Sequence, residues 1–256
     1  MTLPISVFII TKNEQRHLAK TLESVKTVAE VIIVDSGSTD NTLAIAEQYG
    51  AKVFHKAWEG YAIQKQYAMS LCKNEWVLSL DGDETVNPQL LNALQLTIES
   101  DNADCVRMWR NDIFIGKSLS HLSKKPNNHR FYKKSKAFFN SEKLVHESAT
   151  ITGKEIFINE TFDHYGYDSI EAITSKNNKY SSLKADEKFS NGKSFSTFKL
   201  ITIFPFTFFK EYLLQRKIFS GKRGLILSIM EAYYSFIKEA KLYENSECSQ
   251  NSKNVN

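Results

Sequence analysis

Apolar positions in the first hundred residues are of two kinds that alternate along the chain. Short, nearly unbroken runs at residues 5–10 (ISVFII), 31–34 (VIIV), 51–54 and 76–80 (WVLSL) have the length and β-branched content of buried strands. Between them, apolar residues recur at helical spacing. Leu18, Leu22, Val25 and Val28 form one such set, and residues 42–49 and 61–71 form two more. A fourth begins at Pro88 and carries Leu90, Leu91, Leu94 and Ile98. Buried strands alternating with amphipathic helices predict an α/β fold with a mostly parallel sheet and helices on both faces.

The pattern changes near Ala103. Val106, Met108 and Trp109 suit one more strand. Residues 107–136 are basic and weakly periodic, and short β-like pieces continue to Phe157. From Ser169 the chain reads as helical, with a Phe- and Leu-rich stretch at 195–219 and a further helix at 225–243. The polar, Asn/Ser-rich residues 244–256 have the composition of a disordered tail. The predicted organisation is an α/β domain over 1–168, a helical region over 169–243 and a tail over 244–256.

Composition adds three points. Cys72, Cys105 and Cys248 have no metal or redox spacing, which argues for a reducing compartment. No secretory signal pattern opens the sequence, and the longest apolar run, 200–209, is short and interrupted by Thr202, Pro205 and Thr207. A cytoplasmic location is therefore expected. The net charge of +4 conceals an asymmetry: residues 1–105 hold 8 Lys/Arg against 14 Asp/Glu, and residues 106–256 hold 25 against 15. A carboxylate-rich half suits metal and nucleotide, and a basic half suits an anionic partner, although a solvated mixed surface would give the same count.

In open parallel sheets, ligands bind at the carboxyl ends of the strands. Thr11-Lys12-Asn13-Glu14 follows the first predicted strand, Asp35-Ser36-Gly37-Ser38-Thr39-Asp40 the second, and Asp81-Gly82-Asp83-Glu84 the fourth. Two carboxylates flanking a small residue can hold Mg²⁺ or Mn²⁺ while leaving positions for phosphate oxygens. Such a metal neutralises a departing diphosphate as a Lewis acid. Asp-Gly is also a common turn pair. Asp35, at a strand end, is placed to hydrogen-bond a base or ribose. Thr39 or Asp40 would equally cap the following helix, and Glu14 would suit a helix's first turn.

Together, VFIITKNE (7–14), VIIVDSGSTDNT (31–42), the Gln64-Lys65-Gln66 region and LSLDGDE (78–84) resemble the family 2 glycosyltransferases, whose Rossmann-like nucleotide-binding fold is called GT-A. The resemblance implies that Thr11, Asn13, Glu14 and Asp35 line a uridine pocket and that Lys65 lies near the base or diphosphate. It implies that Asp81 approaches ribose and metal, and that Asp83 ligates a divalent Mn²⁺ or Mg²⁺. The family works mainly by inversion, with a carboxylate removing the proton of an acceptor hydroxyl. Many members carry a Glu-Asp pair for that purpose, and this chain has none.

Instead, Arg130-Phe131-Tyr132, Val145-His146-Glu147, Asp163-His164-Tyr165-Gly166-Tyr167 and the turn Phe219-Ser220-Gly221-Lys222-Arg223-Gly224-Leu225 resemble a subgroup. Its members are the lipopolysaccharide inner-core β-glucosyltransferases that act on heptose. This resemblance implies Glu147 as base, a UDP-sugar donor, with glucose as the sugar, and a lipid-anchored oligosaccharide acceptor. Arg130 would bind the diphosphate or an acidic acceptor, or serve packing. His146 and His164 read first as hydrogen-bonded structural histidines, with metal or phosphate contact as the alternative.

Two other functions fit parts of the sequence. A family 2 transferase could use a different acceptor glycan. Asp81-Gly82-Asp83-Glu84-Thr85 also matches the D-x-D-x-T nucleophile loop of haloacid-dehalogenase-type phosphatases. Residues 193–223 hold Lys193, Lys199, Lys210, Arg216, Lys217, Lys222 and Arg223 against Glu211 alone, interleaved with aromatics. That composition suits an anionic membrane surface, or a packed helical pair with a basic outer face. Nucleic acid is not an expected partner, since an acidic cleft repels a phosphate backbone.

Overall fold

A computed structural model describes residues 2–140 and 148–254, with side chains described as far as Cys248. The chain divides into two compact units. One comprises Met1–Asn111 and Lys125–Tyr165, the other Asp112–Lys124 and Gly166–Asn256.

The first unit opens with alternating strands and helices: β1 (Leu3–Thr11), α1 (Leu18–Ser24), β2 (Val28–Asp35), α2 (Thr42–Gln48), β3 (Lys52–His55), α3 (Tyr61–Ser70) and β4 (Trp76–Asp81). The short β5 (Glu84–Thr85) and α4 (Pro88–Ser100) follow. Strands β3, β2, β1 and β4 lie side by side and parallel. Beyond β4 the pairing turns antiparallel. β8 (Asn127–Lys133) runs against β4, and β6 (Cys105–Phe114) runs against β8. The long β11 (Glu155–Tyr167) then pairs antiparallel with β5 and closes the order β3-β2-β1-β4-β8-β6-β11-β5. A separate two-stranded ladder joins β9 (Ala137–Phe138) and β10 (Thr150–Ile151).

The two-residue period of a strand explains the two-sided core. Ile5, Val7 and Ile9 of β1 pack with Leu18 and Leu22 of α1 and with Leu90 and Leu94 of α4. Phe8 turns the other way, into a cluster with Ile32, Val34, Val77 and Ala62, Ala68 and Met69 of α3. The predicted α/β class, with helices on both faces, is thus the one observed. Helix α1 is shorter than its apolar periodicity: it ends at Ser24, and Val28 opens β2. A β-branched residue that begins a buried parallel strand gains more there than in a further helical turn. Helix α4 starts as its sequence dictates, with Pro88 in the first turn and the Asn87 side chain accepting the Leu90 N–H at 2.7 Å.

The second unit is mainly helical: α5 (Ile170–Ser190), α6 (Thr197–Phe209) and α7 (Gly221–Asn254). A π-helical turn, Lys210–Leu214, and a 3₁₀ turn, Lys217–Ser220, join α6 to α7. The short strand β7 (Lys117–Ser118) pairs with the end of β6 at Ile113 and Phe114. Phe114, Ile173 and Leu227 form its small core. Lys241 fastens α7 to α5, donating to the Asn178 carbonyl at 2.7 Å and to Ser181 Oγ at 2.9 Å. Helix α7 runs past Tyr243, where the apolar periodicity ends, to Asn254.

Candidate active site

The loop after β1 turns on Asn13, whose φ of 59° is a left-handed conformation that asparagine tolerates better than most residues. This turn ties the first strand-end cluster to the second. Asn13 N–H donates to Ser38 Oγ at 2.8 Å, and Thr39 N–H returns to Asn13 Oδ1 at 2.8 Å. Glu14 N–H donates to Thr42 Oγ1 at 2.8 Å. Asp40 accepts from Thr42 N–H at 3.0 Å, but the N-cap of α2 is Asn41, which makes no side-chain cap bond, so neither Thr39 nor Asp40 takes the cap position expected of them.

Asp35 is only 2% exposed. Its Oδ2 accepts the N–H groups of Gly37 and Ser38, both at 2.8 Å, and its Oδ1 accepts the hydroxyls of Ser38 at 2.5 Å and Thr11 at 3.1 Å. Burial by itself would raise this carboxyl. The donors of Ser38, Gly37 and Thr11 outweigh it and hold the group below its ordinary range. Gln64 on α3, fully buried, secures the same loop from outside by donating to Ser36 Oγ at 2.8 Å.

The third cluster follows β4. Thr21 Oγ1 donates to the Gly82 carbonyl at 2.8 Å. Gly82 lies against Glu14, so that a β-carbon there would stand 3.0 Å from Glu14 Cγ. The loop after β1 therefore touches both the loop after β2 and the turn after β4.

Asp81 is held between two cations. Lys65 Nζ on α3 is 3.0 Å from Oδ1, and Arg130 Nη2 on β8 is 2.8 Å from Oδ2. Desolvation pushes the Asp81 carboxyl up, but Arg130 and Lys65 prevail and keep it well below the usual carboxylate range. Arg130 also pairs with Glu84, whose side chain has no solvent exposure. Glu84 Oε2 accepts the Asp81 N–H at 3.0 Å. Burial raises the Glu84 carboxyl, and Asp81 and Asp83 add to the rise against the pull of Arg130 and His164. Lys65, Ser79, Asp81, Arg130, Tyr132 and Ser148 are among the residues lining a cavity of about 180 Å³ beside this network.

Asp83 has 19% of its side chain exposed, against 37% for Asp81, and is not the carboxylate that Lys65 and Arg130 hold. His164 Nε2 stands 3.6 Å from its Oδ2, because β11 sets His164 opposite Glu84 in the strand register. Among the described residues no three His, Cys, Asp or Glu side chains converge as a metal cluster. The donor set does suit a cation that arrives with its ligand. Mg²⁺ and Mn²⁺ commonly take one or two protein groups and complete their shells with phosphate oxygens and water. Asp83 and His164 can supply those groups, whereas Lys65 and Arg130 compete with any cation for Asp81.

The structure thus joins Thr11, Asn13, Glu14 and Asp35 in one hydrogen-bonded group and Lys65, Asp81 and Arg130 in another, in contact at Gly82. His146 and Glu147 lie outside the described residues. Sequence reasoning assigned no role to Glu84 or Gln64. Glu84 was visible in the acidic cluster, but nothing in the spacing shows that a residue 46 positions later would neutralise it.

An acidic turn after the fourth strand, apposed to two strand-end loops on a sheet of this order, is the arrangement of GT-A glycosyltransferases. The chain belongs to glycosyl transferase family 2, which it matches over residues 6–160. It is 36% identical to an uncharacterised glycosyltransferase of Rickettsia conorii, across 98% of this chain and 94% of that protein. It is 32% identical to the lipopolysaccharide core biosynthesis glycosyltransferase LpsC of Rhizobium meliloti, across 94% of this chain and 93% of that one. Among solved structures, S. aureus TarS shares the fold at 16% identity and a TM-score of 0.51, over 95% of this chain and 54% of TarS. The phosphatase reading of residues 81–85 falls with the family assignment. Its required nucleophile, Asp81, has both oxygens engaged by cations.

Proposed function

We propose that this transferase moves a sugar, glucose from UDP-glucose, with inversion onto a heptose hydroxyl of a lipopolysaccharide or lipooligosaccharide inner core. The observation that carries the donor half of this reading is the contact between the Asp81-Gly82-Asp83 turn and the loop holding Asn13 and Glu14. It sets an acidic, cation-ready turn beside a loop fixed by its own hydrogen bonds. The 32% identity to LpsC, along nearly its whole length, supports the acceptor half.

In this reading Thr11, Asn13, Glu14 and Asp35 shape the uridine pocket. Asp35 acts by locking the loop, since its oxygens are committed to Thr11, Gly37 and Ser38. Lys65 and Arg130 offer positive charge to the diphosphate while restraining Asp81. The Arg130 Nε–H is buried without a partner among the described residues, which leaves it a donor to give. Asp83, with His164 and Asp81 beside it, would hold Mn²⁺ or Mg²⁺. When bound, that ion supplies Lewis-acid stabilisation of the departing diphosphate. Glu147, by resemblance, takes the proton of the acceptor hydroxyl. Residues 1–168 would carry this chemistry. Residues 169–243 would hold the enzyme at the anionic, cytoplasmic face of the inner membrane, where a lipid-anchored acceptor is presented. No helix among the described residues is long and apolar enough to cross a membrane.

The test is thermal unfolding with Mn²⁺ or Mg²⁺ and a panel of nucleotide sugars, for the natural chain and Asp83→Ala. A ligand that binds only the folded state raises the melting point with its occupancy. A metal-dependent rise with UDP-glucose that Asp83→Ala abolishes is the expected result. An equal rise in the variant removes Asp83 from metal binding, and no rise with any UDP-sugar removes the donor assignment. Glu147→Gln should retain the donor-induced rise and lose transfer.

A further inference from the structure

Helix α6 is apolar nearly all round, a composition normally found only in helices surrounded by protein or lipid. Yet none of its residues is buried. At 100° per residue, Phe198, Ile201, Pro205 and Phe209 form one stripe along the helix. Three of them are exposed by 78% (Phe198), 70% (Ile201) and 56% (Phe209). Phe206, 67% exposed, widens the stripe. Leu200, Ile203 and Thr207 lie on the opposite side and are the less exposed ones, and α6 packs on α7. Past the helix, Leu213, Leu214, Ile218 and Phe219 are likewise at least 41% exposed. A contiguous apolar face of this kind marks an interaction site.

Its charge says what covers it. Glu211 is the one carboxylate of residues 193–223, and Lys217 neutralises it at 2.8 Å. Among the described residues no carboxylate pairs with Lys193, Arg216, Lys222 or Arg223. Two copies of so basic a face repel each other, whereas acidic lipid headgroups complement it. The helix, roughly 20 Å long, is too short to cross a bilayer core of about 30 Å, but long enough to lie in its surface.

We propose that the α6 stripe is the membrane-docking element. It lies in the plane of an anionic bilayer with Phe198, Ile201, Phe206 and Phe209 among the acyl chains and the surrounding lysines and arginines at the headgroups. This deepens the functional reading above, which rests residues 169–243 on a membrane surface but does not say which element of them enters it.

The test uses the full chain and vesicles of phosphatidylcholine alone or with phosphatidylglycerol. Binding should require phosphatidylglycerol and fall with salt. It should weaken about tenfold or more in the combined variant Phe198→Ser, Ile201→Ser and Phe209→Ser. Circular dichroism and the UDP-sugar-induced thermal shift, which reads the transferase assignment separately, should be unchanged in that variant. In case the triple variant does not fold, Phe198→Trp gives a second readout: a blue-shifted emission, quenched by brominated acyl chains, only with anionic vesicles. The proposal is overturned if the chain ignores all vesicles or the serine variant binds them as tightly. It is equally overturned if the indole introduced at position 198 is shielded by concentration-dependent self-association instead. A missing thermal shift with intact vesicle binding would instead count against the donor assignment.

Discussion

Arg130 and Glu84 form an ion pair in which the carboxylate has no contact with solvent and the arginine almost none. Charges so placed stabilise a fold little as a pair but are costly when separated, because the survivor stays buried and unpaired. Arg130→Ala strands Glu84 and releases Asp81 from one of its two cations, so a loss of about 3–5 kcal/mol is expected. Glu84→Gln keeps an acceptor for the Asp81 N–H and should cost far less. Urea denaturation of the two variants checks the order, and equal losses would contradict it.

Asp35 predicts an acid dependence. Its carboxyl is held below its ordinary 3.8, so the stability it contributes is complete above that value and drains away as pH falls through the lower folded one. Asp35→Asn should therefore be less stable than the natural chain at pH 7, by about 2 kcal/mol for hydrogen bonds to a charged acceptor. The gap should narrow below about pH 4. Denaturation midpoints at several pH values read this directly, and a gap that widened in acid would refute it.

Gly82 tests the contact between the first and fourth strand-end loops. A β-carbon there meets Glu14 Cγ at 3.0 Å and Cβ at 3.2 Å, atoms near the backbone that cannot swing aside like a side-chain tip. Gly82→Ala should cost about 1–3 kcal/mol as an overpacked contact. It should also raise the KM for the sugar nucleotide more than it lowers kcat. Kinetics showing kcat alone affected would place Glu14 outside the donor pocket.

The turn into α7 should be as intolerant. Gly221 has a φ of 57°, and a β-carbon on Gly224 would fall 1.8 Å from the Lys217 carbonyl oxygen. Gly224→Ala cannot be accommodated without moving backbone, so it should destabilise more than Gly221→Ala, whose cost is the local one of a side chain at φ 57° and ψ −138°, a conformation glycine alone adopts readily, about 1–3 kcal/mol. Thermal melts of both variants decide the order.

The parallel part of the sheet was legible because strands buried on both faces announce themselves as unbroken apolar runs: residues 5–10 and 76–80 lie within β1 and β4. The strand-end loops followed from that, and Thr11, Asn13, Glu14 and Asp35 do come together. The antiparallel half was legible only in part: Val106, Met108 and Trp109 marked β6, but β8 and β11 stayed hidden. In β11, Glu155–Tyr167, exposure largely alternates, but Phe157 stands on the exposed side and Glu160 and His164 on the covered one, so the residue types hide the strand's period. The antiparallel partner of β4 was equally hidden, since Arg130 and His129 on β8 are polar residues turned toward other charges. Without these pairings the company kept by Asp81 and Asp83 could not be read. Lys65 was expected near the diphosphate, and what the structure shows is its ion pair with Asp81.

The counter-ion for the acidic turn lies 49 residues downstream of Asp81, on a strand that must insert beside β4. While the chain is being made, Asp81, Asp83 and Glu84 emerge together, and of the cations that later restrain Asp81 only Lys65 precedes them. A nascent first half therefore carries a crowded, mutually repelling set of carboxylates at the exposed edge of an unfinished sheet. That repulsion discourages the edge from pairing with another nascent chain and rewards the one strand that brings Arg130. The charges gathered at the mature turn thus also favour the correct neighbour for β4 as synthesis proceeds.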